Sequence, residues 1–244
     1  MSGLADRARS FDLAAEEYER TRPDYPAAVL EKLPVPADAT VLDLGAGTGK
    51  LTRVLVRRYS HVIAVEPLDR MRAILEKVVP QAEPLKGRAE QIPLADASVD
   101  AVFAGQAFHW FANDEAVREI ARVLRRDGVF CLVWNSPDES RPWSVPQTYT
   151  DYLEELHTEL SLADEPPFGE VIGRGPFGDL NEFAVPHVYA LDRQGLLDNA
   201  RSVSWIASRP SDEHERIMRR LSELLPDATF SIPNIANVMW SVRS

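Results

Sequence analysis

Cysteine is almost absent from the 244-residue sequence, which contains only Cys131. A single thiol cannot form a disulfide within the chain, and this fits a reducing compartment. No apolar run approaches the roughly 20 residues that cross a bilayer. The first residues, Met-Ser-Gly-Leu-Ala-Asp-Arg, lack the hydrophobic core of a signal peptide. The sequence therefore predicts a cytoplasmic protein with no membrane partner.

Positive charge is also scarce, since 27 Lys and Arg residues stand against 38 Asp and Glu, for a formal net charge of −11. This charge repels a phosphate backbone and no dense basic block offsets it, so nucleic acid is not an expected partner. The five histidines show no metal-ligand spacing, and neither a P-loop nor a G-x-S-x-G elbow occurs. We expect no metal site, a small-molecule substrate, and a monomer or homodimer.

The sequence does contain a glycine-rich turn directly after an apolar run, in the stretch Val-Leu-Asp-Leu-Gly-Ala-Gly-Thr-Gly at 41–49. An apolar run that does not alternate is typical of a buried parallel strand. Glycines let the backbone turn tightly and approach a ligand, and a following helix directs its free N–H groups to the same place. The stretch predicts the opening of a nucleotide-binding α/β domain.

Strand-like and helix-like segments alternate after this turn, which predicts a parallel sheet with right-handed crossovers. We expect strands two to seven at 61–66, 82–87, 98–105, 129–134, 183–191 and 235–242. Asn113 is expected to cap the helix after strand four, and Ser211 the last long helix.

The candidate site lies where these strands end, because an open α/β sheet binds ligands beside the carboxyl ends of its strands. Asp43 and the glycines end strand one, Glu66 ends strand two, and residues 106–111 follow strand four. Glu66 is suited to accept hydrogen bonds from two ribose hydroxyls. Leu68 and Met71 either pack against an adenine face or belong to the core.

His109 is the candidate catalytic residue, because histidine titrates near neutral pH and this one follows strand four. It is interpreted as a general base or as a group that orients the substrate. Its neighbours Phe108, Trp110 and Phe111 also fit a histidine that only packs.

Two segments are candidate covers of the site. Tyr18, Arg22 and Tyr25 share one helical side if the helix continues past Pro23, and they then form a lid over the cofactor. The alternative is packing at the domain edge. Residues 135–179 are interrupted by prolines and glycines, and we interpret them as an insertion over the active site or, alternatively, a surface excursion.

Several motifs together resemble one enzyme family. They are Tyr18-x-x-x-Arg22-Pro23-x-Tyr25-Pro26, the 41–49 stretch, Val65-Glu66-Pro67, Gly87-x-Ala89-Glu90-x-Ile92-Pro93 and Gln106-Ala107-Phe108-His109-Trp110-Phe111. The glycines are spaced G-x-G-x-G, whereas a dinucleotide fingerprint has G-x-G-x-x-G. The chain resembles the small-molecule branch of the class I S-adenosylmethionine (SAM)-dependent methyltransferases, which includes the type-11 domain and the trans-aconitate methyltransferase-like enzymes.

The resemblance implies an α/β, Rossmann-like fold. Its seven-stranded sheet is mostly parallel, with helices on both faces, an antiparallel last strand beside strand five, and a helical lid insertion after strand five. We expect one domain over residues 1–244. Its segments are an N-terminal lid at 1–25, a SAM-binding core at 26–134, the insertion at 135–179, and a C-terminal strand pair with helices at 180–244.

The resemblance also suggests the site residues. The cofactor-binding set is Tyr18, Arg22, Asp43, Gly45, Ala46, Gly47, Glu66, Pro67, Leu68, Met71, Arg88, Ala89, Glu90, Gln106 and Ala107. Within it, Asp43 and the glycines hold the methionine moiety and Glu66 holds the ribose. Arg88 and Ala89 lie beside adenine. Many relatives have an acidic or small polar residue at position 88, so Arg88 departs from the pattern. The acceptor-binding set is Tyr25, His109, Trp110, Trp143 and Tyr149.

The implied activity is methyl transfer from SAM to a small organic acceptor, most readily at an oxygen of a carboxylate or hydroxyl, with S-adenosylhomocysteine as the second product. Two alternatives stay open at this point. One is a nicotinamide-dependent oxidoreductase, which the glycine spacing disfavours. The other is a regulatory protein that binds SAM without turnover.

Overall fold

The computed structural model describes residues 15–158, 167–203, 206 and 209–244, and it contains one seven-stranded sheet in the order β3-β2-β1-β4-β5-β7-β6. The strands are β1 (Thr40–Leu44), β2 (His61–Val65), β3 (Glu83–Leu85), β4 (Val99–Gly105), β5 (Leu124–Pro137), β6 (Asn181–Asp192) and β7 (Thr229–Val242). All seven predicted strands are present, and the α/β fold prediction is confirmed.

Helices separate most of these strands. They are α1 (Ala15–Thr21), α2 (Thr52–Arg58), α3 (Asp69–Val78), α4 (Asp114–Val123), α5 (Gln147–Thr158), α6 (Phe168–Ile172), α7 (Arg193–Ser202) and α8 (Ser211–Leu224), with short 3₁₀ helices at Ala27–Leu30 and Phe108–Trp110. Within the described residues, no helix combines the length and the apolar character needed to span a bilayer.

Strand β1 lies at the centre of the parallel part of the sheet. Leu42 pairs with Ile63 of β2 on one side and with Val102 of β4 on the other. The end of β7 runs back along the start of β5, where the Arg243 N–H donates to the Gly128 carbonyl at 2.8 Å. The last strand is therefore antiparallel and lies beside β5, as the family resemblance implies.

Both faces of the parallel strands are buried, which explains their unbroken apolar sequences. On one face, Val41, Phe103 and Cys131 pack with residues of α2 and α3. On the other face, Leu42 and Phe130 pack with residues of α4. The helices thus cover both sides of the sheet, and the strand ends remain the place where polar groups collect.

The chain divides into two compact units. The first, which we call the sheet unit, comprises residues 24–136, 165–185 and 235–244; the second comprises 1–23, 137–164 and 186–234. The second unit has its own apolar cluster, in which Tyr149 and Leu221 are buried. The expectation of a single domain over 1–244 stays a prediction.

Two local expectations are wrong. Helix α8 begins at Ser211 itself, and Pro210 occupies the N-cap position without a side-chain hydrogen bond. Helix α1 ends at Thr21, so it does not continue past Pro23 and the helical side predicted to include Tyr25 ends with Arg22, whose N–H donates to the Tyr18 carbonyl at 3.1 Å. The cause is the proline after Arg22, because the residue before a proline is disfavoured in the α region.

The predicted cap of α4 is confirmed, and it allows a test of the local structure. The Asn113 side chain accepts hydrogen bonds from the backbone N–H groups of Glu115 and Ala116 at 3.1 and 2.9 Å. We expect Asn113→Ala to lower the free energy of unfolding by about 1 kcal/mol, measured by urea denaturation. Asn113→Ser, which keeps a capping oxygen and adds no charge beside Glu90, should lose less. An alanine variant as stable as the parent would show that this cap contributes nothing.

Candidate cofactor site

The glycine turn after β1 is left-handed at all three glycines, with φ of 72° at Gly45, 57° at Gly47 and 90° at Gly49. A Cβ at Gly45 would lie 2.8 Å from the Ala107 Cβ, and one at Gly49 would lie 3.0 Å from Val79 Cγ2. A Cβ at Gly47 would meet no atom within 4 Å. Two glycines are therefore required by packing, and Gly47 is the position where a ligand can approach the backbone.

Glu66 ties this turn to the start of α3. Its Oε2 accepts a hydrogen bond from the Gly47 N–H at 2.8 Å, and its Oε1 accepts one from the Leu68 N–H at 2.9 Å. The side chain is buried, and a carboxylate oxygen can accept more than one hydrogen bond. The carboxylate thus holds the turn in place and can also accept the ribose hydroxyls predicted from the sequence.

Asp43 is a fully buried carboxylate next to the same turn. Its Oδ2 accepts a hydrogen bond from the Thr52 hydroxyl at 2.6 Å, and its Oδ1 has no hydrogen-bond partner among the described residues. The buried hydroxyl of Thr48 also lacks one there. Buried polar atoms are normally satisfied, so these two oxygens are available to hydrogen-bond a ligand or a water molecule.

The electrostatics at Asp43 agree with a cationic ligand. Burial raises the pKa of Asp43 to about 7, the Thr52 hydroxyl acts in the opposite direction, and the neighbouring charge of Glu66 raises it further. Two carboxylates close together repel each other, and a positive charge near them relieves that repulsion.

The segment after β3 forms the next edge of the site. Ala89 is buried, whereas the side chain of Arg88 is 73% exposed and lies 3.5 Å from Glu90. Glu90 in turn accepts a hydrogen bond from Asn113 at 3.2 Å. Because the Arg88 side chain is this exposed, the backbone and Ala89 are the groups available to an adenine ring. Arginine can therefore stand at position 88, where many relatives have an acidic or small polar residue.

The end of β4 supplies the floor of the site. Gln106 has a left-handed φ of 47°, rare for a residue with a side chain, and its N–H donates to the Val133 carbonyl at 2.9 Å. Ala107 packs against Gly45 as described above. A Cβ at Gly105 would lie 3.0 Å from the hydroxyl of Tyr25. The structure thus brings Tyr25, predicted to contact the acceptor, to the carboxyl end of β4.

His109 lies among aromatic rings. Its ring centroid is 4.8 Å from that of Trp110 and 5.1 Å from that of Trp134, and its Nδ1 has no hydrogen-bond partner in the described part of the chain. Burial lowers the pKa of His109 to about 4. The imidazole is therefore neutral near pH 7 and a weak base, which favours the orienting interpretation over the general-base interpretation.

The predicted site residues fall into two groups. The sheet unit contains all of them except Tyr18, Arg22, Trp143 and Tyr149, which belong to the second unit. There, Arg22 lies 5.6 Å from the centre of the Tyr18 ring, the Trp143 indole N–H donates to the Asp138 carbonyl, and the Tyr149 hydroxyl donates to the Leu196 carbonyl. The roles of these four residues toward cofactor or acceptor stay predictions.

Sequence reasoning missed an ion pair that holds the loop after Glu90. Arg122 donates to the carbonyls of Leu94 and Ile92 at 2.8 and 2.9 Å, and Glu119 accepts from the Ile92 N–H at 2.9 Å. Hydrogen bonding to Arg122 lowers the pKa of Glu119, which keeps the pair charged. The only signal in the sequence was the i,i+3 spacing of an acid and a base on α4.

Residues 15–158, 167–203, 206 and 209–244 contain no group of three or more His, Cys, Asp or Glu side chains that could hold a metal ion.

Comparison with known proteins agrees with this geometry. Residues 42–132 match the family described as a methyltransferase domain. An uncharacterized methyltransferase of Mycobacterium tuberculosis is 39% identical over 220 residues, covering 90% of this chain and 87% of the relative. An uncharacterized methyltransferase-like protein of Schizosaccharomyces pombe is 33% identical over 236 residues, covering 94% and 89%.

A solved structure shares the fold. It is phosphoethanolamine N-methyltransferase 2 of Haemonchus contortus in complex with phosphomonomethylethanolamine and S-adenosylhomocysteine. The TM-score is 0.56 at 15% identity, and the match covers 98% of this chain and 59% of that chain.

These findings define the class of protein: the chain belongs to the methyltransferase family, in its class I, Rossmann-like form. It is a SAM-dependent methyltransferase, which confirms the predicted activity class and cofactor. The oxidoreductase alternative is wrong.

Because the pKa of Asp43 is raised, we expect the free energy of unfolding to depend on pH. The Asp43 carboxyl stays protonated up to about pH 7 in the folded chain, whereas its pKa in the unfolded chain is 3.8. Its contribution to the free energy of unfolding is therefore fully present below pH 3.8 and is lost as the pH rises through 7. Because Asn cannot ionise, we expect the free energy of unfolding of Asp43→Asn, relative to that of wild type, to be about 2 kcal/mol higher at pH 8 than at pH 5.5. Urea denaturation at the two pH values measures this difference.

The control for this test is Asp227→Asn, which removes a negative charge from an exposed position. A gain from Asp43→Asn that is equal at the two pH values would show that Asp43 is already ionised at pH 5.5.

Proposed function

We propose that this enzyme transfers the methyl group of SAM to an oxygen atom of a small organic acceptor, either a carboxylate or a hydroxyl. The observation that carries the proposal is the pair of buried carboxylates, Asp43 and Glu66, beside an open left-handed glycine turn.

The two carboxylates suit the charge of SAM. A dinucleotide would bring an anionic pyrophosphate to this turn, where Asp43 and Glu66 would repel it. SAM brings a sulfonium and an ammonium group instead. In the proposed arrangement Gly45 and Gly47 lie along the methionine portion, Asp43 and Thr48 stabilise its positive charge, and Glu66 accepts the ribose hydroxyls.

The main task of the protein in this reaction is alignment. The cofactor supplies an electrophilic methyl group on a sulfonium, which is already reactive toward a nucleophile. Positioning of two reactants can supply about 7–11 kcal/mol of the barrier. Tyr25, at the end of β4, and the aromatic residues around His109 are the groups in place to orient an acceptor and to exclude water.

The weak basicity of His109 favours a carboxylate as the acceptor. An amine is largely protonated at neutral pH and a hydroxyl keeps its proton, and a histidine whose pKa is lowered to about 4 cannot efficiently remove either proton. A carboxylate is already deprotonated and needs no base. A neutral His109 can hydrogen-bond such an acceptor and fix its orientation.

The proposal is tested by incubating the enzyme with SAM and matched panels of carboxylic acids, phenols and amines, and detecting S-adenosylhomocysteine and the methylated product by mass spectrometry. We expect methyl esters or methyl ethers. Methylation restricted to amines would overturn the proposal.

Glu66 offers a test of donor binding. Removing the carboxylate takes away the ribose acceptors and also frees the Gly47 N–H that Glu66 holds. We expect Glu66→Ala to weaken SAM binding by about thirtyfold or more, and Glu66→Gln to lose less, as measured by calorimetry. Glu76→Ala serves as the control. It removes a half-exposed carboxylate from helix α3, whose N-cap is Leu68. Unchanged affinity in a folded Glu66→Ala variant would remove this role.

The pH dependence of turnover tests whether His109 acts as a general base with an ordinary histidine pKa. A general base with an ordinary histidine pKa would lower kcat about tenfold between pH 7.5 and 5.5. Because the pKa of His109 is lowered to about 4, we expect kcat at saturating SAM with a carboxylic acid acceptor to be nearly flat over this range. A tenfold fall that disappears in His109→Asn would instead identify His109 as the base.

A further inference from the structure

We infer that the acceptor has a single apolar body, and that this body binds in a cavity of about 310 Å³ lined by Leu132, Trp134, Phe168, Asn237 and Met239. We call this cavity the β5–β7 pocket. The inference rests on the proposed function and narrows its substrate class to monocarboxylic acids with an apolar body. Polycarboxylates are thereby excluded as acceptors.

The β5–β7 pocket is formed by one face of the sheet. Leu132 and Trp134 are two residues apart on β5, and Asn237 and Met239 are two residues apart on β7, so their side chains lie on the same face of each strand. Phe168 begins α6 and covers this face. All five residues belong to the sheet unit.

The pocket adjoins the proposed reaction site. Gly105 of β4 pairs with Val133 of β5, and the Gln106 N–H donates to the Val133 carbonyl, so Trp134 lies one strand away from the end of β4. Neighbouring strands are about 4.8 Å apart. The Trp134 ring also contacts the His109 ring, with centroids 5.1 Å apart. A molecule in the pocket can therefore place one end beside His109.

The lining of the pocket selects against charge. None of its five residues is ionisable, and the Asn237 amide donates a hydrogen bond to the Ser136 hydroxyl at 3.3 Å. A second or third carboxylate on the acceptor would enter this lining without a cation to pair with, at a considerable desolvation cost. Trp134 and Phe168, with ring centroids 5.4 Å apart, instead offer surfaces for an aromatic ring or an alkyl chain.

The volume sets a further limit. About 310 Å³ is at the low end of the roughly 300–1,000 Å³ found for small-molecule sites. A body of one ring or a short alkyl chain fits this space better than a long lipid. The nucleophilic oxygen then lies at the end of the molecule nearest His109.

The test is calorimetric binding to the full-length protein in the presence of S-adenosylhomocysteine. The probes are 3-phenylpropionate and hexanoate, compared with the tricarboxylate propane-1,2,3-tricarboxylate. We expect the two monoacids to bind at least tenfold more tightly than the tricarboxylate. Equal or tighter binding of the tricarboxylate, or no binding of either monoacid, would overturn the inference.

Two variants locate the binding. Met239→Trp fills the pocket, and we expect it to weaken monoacid binding about tenfold or more while S-adenosylhomocysteine affinity stays unchanged. Asn237→Phe, at an exposed position that also lines the pocket, gives a second test if Met239→Trp does not fold. Val188→Trp, at the exposed Val188 of β6, is the matched control. Monoacid binding that is unaffected in a folded pocket-filling variant would place the acceptor elsewhere.

This design separates the two claims. Methyl esters formed from the tricarboxylate, with no reaction of the monoacids, would overturn the pocket inference and leave oxygen methylation intact. Methylation confined to amines would overturn the proposed function itself.

Discussion

The hydrogen bond from the Gly47 N–H to Glu66 is the interaction on which the site depends. It joins the turn after β1 to the end of β2, and Gly45 packs against Ala107 after β4 on the other side. Three neighbouring strand ends are thus held together around one left-handed turn. A side chain at Gly45 would press against Ala107. Loss of the Glu66 carboxylate would free the Gly47 N–H. The turn would then be joined to β2 by the Gly45 and Ala46 N–H groups, which donate to the Val65 carbonyl at 2.9 and 3.1 Å.

The same constraint has an electrostatic consequence. Placing Asp43 and Glu66 close together in a buried position raises the pKa of Asp43 and makes its ionised form costly in the free enzyme. In the proposed arrangement a cationic cofactor offsets that cost, which would couple cofactor binding to ionisation of Asp43. Strain of this kind is typical of sites that have been shaped for a ligand rather than for maximal stability. It also explains how a glycine turn can favour SAM over an anionic dinucleotide.

The sequence predicted those features that depend on local chemistry. The 41–49 stretch, the acid Glu66 at the end of β2 and the Asn113 cap are set by backbone conformation and short-range hydrogen bonds, and the structure has each of them. The predicted Ser211 cap was wrong because the helix begins one residue earlier than expected, which puts Pro210 at the N-cap position. The β5–β7 pocket was not predictable, because Leu132 and Met239 look like ordinary core residues until the fold brings their strands together.

The most direct test of the account is a calorimetric comparison of SAM and NAD binding to the wild-type enzyme and to Asp43→Asn at pH 8. If the buried carboxylates select a cationic ligand, wild-type protein binds SAM and gives no measurable binding of NAD, and Asp43→Asn weakens SAM binding. Binding of NAD to the wild-type enzyme as tight as that of SAM, or SAM affinity unaffected by Asp43→Asn, would contradict it.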